Sequence, residues 1–220
     1  MDIFSLILGF LFFFVALTIH EFSHAYVADR LGDPTARFQG RLSLNPLRHI
    51  DLFGTILLPL ILILSGAGFV FGWAKPVEYD PFNLRNPRKD SGLIALAGPA
   101  SNFIFAIAMS IVLRLLTLFQ LSDFFIIGYI IKLLITYNVF LGLFNLIPIH
   151  PLDGFNIVAG FLPREKAHEW DGLRRYGSLF LIVLIIPLFG SGSMLSAFLT
   201  PVVRLVLFLL IPQNGTGGVL

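Results

Sequence analysis

Apolar residues run almost unbroken through six stretches of this chain, at 3–27, 52–72, 92–118, 124–147, 173–190 and 194–212. Polar residues gather between them at 28–51, 73–91 and 148–172. About 20 apolar residues in a helix span the hydrocarbon of a bilayer. The pattern therefore predicts an all-α polytopic membrane protein, with residues 1–212 forming one membrane-embedded domain and 213–220 a flexible, Gly-rich tail. No internal repeat or appended soluble domain interrupts this layout. No Lys or Arg precedes the first stretch and no small-residue cleavage site follows it, so it is expected to be a retained span rather than a signal peptide.

Composition agrees with that class. The 220 residues are 56% hydrophobic and 13% charged, against roughly 25% charged in an ordinary soluble domain. The absence of Cys excludes disulfides, thiolate metal sites and cysteine nucleophiles. A net charge of +2 reflects bias among the loops, and no nucleic-acid partner is expected.

Chemistry first appears inside the opening apolar stretch, as His20-Glu21-Phe22-Ser23-His24. On a helix, His20 and His24 lie one turn apart on one face, where both imidazoles can hold one Zn²⁺ with Glu21 beside them as a general base. Ionisable groups inside a membrane are costly, which favours function over a structural histidine pair. A hydrolytic zinc site commonly uses three protein ligands and keeps one position open, so a third ligand is needed. Asp153, just past the fourth apolar stretch, is the best candidate. Pro148 and Pro151 cannot continue a regular helix, and Gly154 permits a tight turn that aims a carboxylate inward. The alternative for Pro151-Leu152-Asp153-Gly154 is a plain loop turn.

The three ligands also constrain topology. His20 and His24 sit near the C-terminal end of the first stretch, and Asp153 follows the C-terminal end of the fourth. These ends meet only if an even number of crossings separates them, so 52–72 is expected to be re-entrant or otherwise non-crossing, leaving five full transmembrane helices. Pro59, Gly66 and Gly68 offer places to bend. In this arrangement the basic residues of 30–48, 75–89 and 164–175 all fall on one side, and the opposite loops hold none. By the positive-inside rule, the site opens toward the cytoplasm of a multi-pass protein in the cell membrane.

With these residues in place, the chain resembles the site-2 protease family of intramembrane zinc metalloproteases (peptidase family M50), and in particular small members without a PDZ domain. The resemblance rests on the His20–His24 motif, on Gly98-Pro99-Ala100-Ser101-Asn102, on Asn145 and on Pro151-Leu152-Asp153-Gly154, in the family's order. It departs from the family in carrying the motif in its first span and in the apolar insertion at 52–72. The resemblance implies His20, His24 and Asp153 as ligands of one catalytic Zn²⁺ and Glu21 as the catalytic carboxylate. It implies a substrate that is a transmembrane segment of another membrane protein, cut within the lipid bilayer. The oligomeric state is not written in the sequence.

Other polar residues take supporting readings. Asn145 is the candidate donor to the developing oxyanion, its alternative being a helix-end hydrogen bond. Asn138 reads as structural. Gly98, Pro99 and Asn102 read as close span packing, with Asn102 also able to orient the site. Lys132 is expected to snorkel or to pair with Asp123, and Arg114 reads the same way. His49, His150 and His168 read as solvated loop residues, with His150 alone near enough in sequence to approach the metal. An extended edge at 73–79 can pair with an unwound substrate by strand addition, although Pro76 removes one donor; an interfacial anchor is the alternative. Two further functions compete. One is a catalytically silent metal-binding scaffold, which would have no need of Glu21. The other is a transporter, whose polar residues would line a path through the membrane instead of collecting near one face.

Overall fold

The computed structural model describes residues 3–66, 72–119, 125–187 and 192–212, and these contain helices and no strand. The expected tail, Gly68 and Asp123 lie outside the described residues, and with Asp123 the expected Lys132–Asp123 pair. The helices are α1 (Ile3–Leu31), α2 (Thr35–Phe38), α3 (Leu58–Leu64), α4 (Pro87–Leu118), α5 (Phe125–Asn145), α6 (Asp153–Phe161), α7 (Arg164–Asp171), α8 (Arg174–Ile185) and α9 (Met194–Leu210). Among the described residues, three are long and apolar enough to cross a membrane: Leu8–Leu31 in α1, Pro87–Leu118 in α4 and Ile126–Asn145 in α5.

Local chemistry sets the helix ends near the site. Helix α1 stops where Gly32 takes a positive φ of 111°, the left-handed conformation that glycine tolerates. Buried Asp33 follows and accepts hydrogen bonds from the Thr35 hydroxyl, the Asp80 N–H and the Asn83 amide. Burial alone would raise this carboxyl's pKa, but the donors from Thr35, Asn83 and Asp80 outweigh it and hold the pKa below its ordinary value. Asp33 thereby ties the end of α1 to the turn that leads into α4. Helix α4 opens on Pro87, whose missing N–H costs nothing in the first turn, and Asp90 accepts from the Asn86 N–H at 2.8 Å.

Helix α4 is central and packs against α1, α5 and α6. It runs antiparallel to α1: Asn102 bonds the Ala16 carbonyl, whereas Ile94, earlier in α4, meets His24, later in α1. Helix α5 runs beside α1 with Leu141 against Leu17, and Ala106, Ile135, Val139 and Leu207 fill the core among α4, α5 and α9. Helix α6 crosses α4 backbone to backbone, because a Cβ on Gly160 would lie 2.7 Å from the Gly92 Cα. Gly160→Val is therefore expected to overpack this crossing at a cost of about 1–3 kcal/mol, read as a lower unfolding midpoint in detergent.

The segment at 52–72 returns to its origin. A π-helical turn at Leu52–Leu57, capped by Asp51, leads into α3. The Trp73 N–H then donates to the Gly54 carbonyl at 3.1 Å, the Thr55 hydroxyl donates to the Trp73 carbonyl at 2.7 Å, and the Lys75 N–H donates to the His49 carbonyl at 3.0 Å. The described flanks of the segment, at Gly54 and Trp73, are thus bonded to each other.

Within the stretch at 173–190, expected to make a full crossing, the described residues end at 187. Helix α8 has 12 residues, about 18 Å of helix against about 30 Å of hydrocarbon. It begins with Gly177 against His150, and its Ile185 lines the same cavity as Leu195 at the start of α9. Helix α9 departs from that depth: its terminal carbonyls, Leu209 and Leu210, accept from Arg114 and Ser110 on α4. Among the described residues, α1, α4 and α5 have membrane length, and α9, shorter at 17 residues, packs against α4 and α5. Arg114, read as a snorkelling or paired cation, donates to the Leu209 carbonyl at the end of α9 at 2.7 Å.

Candidate metal centre

Helix α1 presents His20 and His24 from one face, with the rings edge to face at a centroid distance of 4.6 Å. The turn after α5 and the start of α6 bring Asp153 to the same place. Its Oδ2 lies 2.9 Å from His20 Nε2 and 3.3 Å from His24 Nε2. The tight turn expected at Gly154 is present, since a Cβ there would meet the Leu146 and Ile147 carbonyl oxygens at 2.3 and 2.4 Å.

The neighbours of the two rings settle their tautomers. His24 Nδ1 lies 2.6 Å from the Ile94 carbonyl, which can only accept, so Nδ1 carries the proton. Asn102 donates its amide hydrogens to the Ala16 carbonyl at 3.0 Å and to Asn138 Oδ1 at 2.9 Å. Its Oδ1 therefore faces His20 Nδ1, at 2.7 Å, and makes that nitrogen an N–H donor too. In the neutral form of each ring, Nε2 is then the unprotonated nitrogen available to a metal.

Two imidazole lone pairs and a carboxylate oxygen thus converge within 4.8 Å of one another. Asp153 Oδ2 is buried with no hydrogen-bond donor. With both rings neutral these acceptors repel one another, and a small cation relieves them; ligands about 2.0–2.1 Å from a tetrahedral Zn²⁺ sit about 3.3 Å apart. Gly98 supplies the room. A Cβ on it would lie 2.5 Å from His24 Nε2 and 2.6 Å from His20 Cε1, so the cradle exists because residue 98 has no side chain.

Glu21 is buried beside this cluster, and its Oε2 accepts the Val77 N–H at 3.2 Å. Asn145 borders the same cavity of about 650 Å³, while its amide also donates to the Leu141 carbonyl at 3.1 Å. The cavity runs from the histidines along α1 and α5 past Phe13 and Phe140 to Gly9 and Tyr137. Gly9 is eleven residues from His20, about 16 Å along a helix. Residues 72–80 carry neither helix nor strand, and Trp73, Ala74, Pro76, Val77 and Tyr79 line the cavity.

Sequence reasoning placed the three converging side chains but missed the support beneath them. Asn138, read as structural, bonds Asn102, and the Val77 N–H on Glu21 had no signal in the sequence beyond its neighbourhood. His49, expected to be solvated, is buried and donates from Nε2 to the Ser43 carbonyl at 2.8 Å. His150 is half-buried with its ring edge against Phe155; burial and then the charge of Arg174 lower its pKa. His168 is exposed, as expected.

Residues 8–125 match the family described as peptidase family M50. A Bacillus subtilis protein named as a candidate zinc metalloprotease, YwhC, is 36% identical over 187 residues, covering 80% of this chain and 79% of its own. A Mycolicibacterium smegmatis protein named as a candidate zinc metalloprotease, Rip2, is 31% identical over 78% of this chain and 64% of its own, so the chain spans just under two thirds of that relative. Over 98 residues, the regulator of sigma-E protease RseP of Escherichia coli is 35% identical, covering 42% of this chain and 22% of its own. No solved structure matches the chain significantly.

Proposed function

The chain belongs to peptidase family M50, and on that premise we propose that it is an intramembrane zinc metalloprotease that hydrolyses peptide bonds in or near transmembrane segments of other membrane proteins. One observation carries the reading: His20 Nε2, His24 Nε2 and Asp153 Oδ2 converge as acceptors without a donor, in a largely apolar cavity bordered by membrane-length helices. These three atoms would hold Zn²⁺, which would supply Lewis acidity to a bound water and to the peptide carbonyl. Glu21 takes the proton released by the attacking water and passes it to the leaving amine nitrogen. The Val77 N–H holds the Glu21 carboxylate in place. Asn145 donates its second amide hydrogen toward the oxyanion that develops on the carbonyl oxygen.

Substrate must be unwound before its carbonyls can be attacked, and the rim at 73–79 suits an extended chain. The N–H groups of Trp73, Lys75 and Val77 turn inward to protein acceptors. Alternation along an extended backbone turns those of Ala74 and Glu78 outward, where they can pair with substrate. The cavity along α1 and α5 takes the apolar remainder of the segment.

In the membrane, α1, α4, α5 and α9 cross and 52–72 is re-entrant. The basic residues of the site-side loops put the opening toward the cytoplasm. Purified protein reconstituted in liposomes with a model transmembrane substrate tests the function. The expected result is a cut mapped by mass spectrometry to the apolar segment or its border; an uncut panel of such substrates under zinc-loaded conditions would overturn it.

A further inference from the structure

We propose that Asn138, on α5, is a positioning residue for the metal centre: it holds Asn102 so that Asn102 in turn holds His20 in the one tautomer that leaves Nε2 free for the metal. This rests on the zinc reading above and extends it to a helix that contributes none of the three ligands. Asn138 and Asn102 are both fully buried, and each has a backbone carbonyl that fixes its amide. The Leu134 carbonyl accepts from Asn138 Nδ2 at 2.8 Å, which turns Asn138 Oδ1 toward α4. That oxygen accepts from Asn102 Nδ2 at 2.9 Å, and the Ala16 carbonyl accepts the other Nδ2 hydrogen at 3.0 Å. Asn102 Oδ1 is then committed to His20 Nδ1.

The order of the relay matters. An amide that rotated by half a turn would bring its NH₂ to His20 Nδ1, favour the proton on Nε2 and block the metal. Two acceptors on Asn102 Nδ2 oppose that rotation, and Asn138 is one of them. In an apolar surrounding no water competes for these groups, so losing an acceptor leaves a buried N–H unpaired. The relay also links α5 to α4 and α1 at the depth of the site, so their relative placement and the state of His20 are set together.

The test compares wild type, Asn138→Leu, Asn138→Asp, Asn102→Leu and the double Leu variant, each as the full chain in detergent. Zinc affinity is read by competition with a chromophoric chelator, and the His20 tautomer by ¹⁵N NMR of the zinc-free protein. Asn138→Leu, of similar volume, is expected to weaken zinc about tenfold, the lower end for a supporting residue, and to move the His20 signal away from the Nδ1–H form. Asn138→Asp, neutral when buried in this apolar surrounding, keeps a donor for the Leu134 carbonyl and an acceptor for Asn102 and should hold both readouts near wild type. The double variant should bind zinc no more weakly than Asn102→Leu alone. Wild-type zinc affinity and tautomer in Asn138→Leu, or Leu and Asp variants equally impaired, would overturn the relay. A wild type that binds no divalent metal would instead overturn the metalloprotease reading, and the proposal with it.

Discussion

Glu21→Gln is expected to lower kcat for a transmembrane substrate by about a thousandfold while leaving bound zinc unchanged. A general base of this kind contributes about 10²–10⁴-fold. Gln is close to isosteric, and its Oε1 can still accept the Val77 N–H that now meets the carboxylate at 3.2 Å. What it cannot do is take a proton. Glu21 is outside the cluster formed by His20, His24 and Asp153, so the metal should be retained. Turnover and metal content, measured on the same preparation, separate the two effects. Zinc lost in parallel with activity would make Glu21 a ligand, and full turnover would remove it from the chemistry.

Gly98→Ala is expected to abolish metal loading without unfolding the protein. The added Cβ would lie 2.5 Å from His24 Nε2 and 2.6 Å from His20 Cε1, within the space that the converging lone pairs must share with a cation. Ala is the better helix former by about 0.8–1.0 kcal/mol, so α4 has no local reason to weaken. The expected outcome is zinc affinity reduced by more than about a hundredfold, beyond the usual loss for a supporting residue, while the zinc-free protein still unfolds cooperatively, with a midpoint lowered by no more than an overpacking cost of about 1–3 kcal/mol. Normal zinc binding by this variant would show that the cradle yields, and the account of Gly98 would fail.

Much of this was legible in the sequence. Helix length is a local property, so the apolar runs located α1, α4, α5 and α9. The histidine spacing put both rings on one face, and the turn chemistry around Gly154 singled out Asp153. The expectation of a re-entrant 52–72 came from parity and charge, and the structure shows of it the bond from the Trp73 N–H to the Gly54 carbonyl. At 173–190 apolarity alone does not distinguish a segment that crosses from one that packs near the site. There the chain is bound to the depth of His150 by Gly177 and α9 departs from the same depth. Burial of loop residues was equally hidden. His49 sits in a polar stretch, yet the return of the chain at Lys75 covers it. The Asn138–Asn102 bond joins residues 36 apart, and nothing local in either helix names its partner.

The central claim is that His20, His24 and Asp153 hold the metal through which this chain cuts membrane segments. Its most direct measurement is cleavage of a reconstituted transmembrane substrate by wild-type protein stripped with a chelator and titrated back with Zn²⁺. The account predicts that cleavage disappears on stripping and returns in full at one Zn²⁺ per chain, with Asp153→Ala showing no return at that ratio. Undiminished cleavage by the stripped protein, or full recovery by Asp153→Ala, would contradict it.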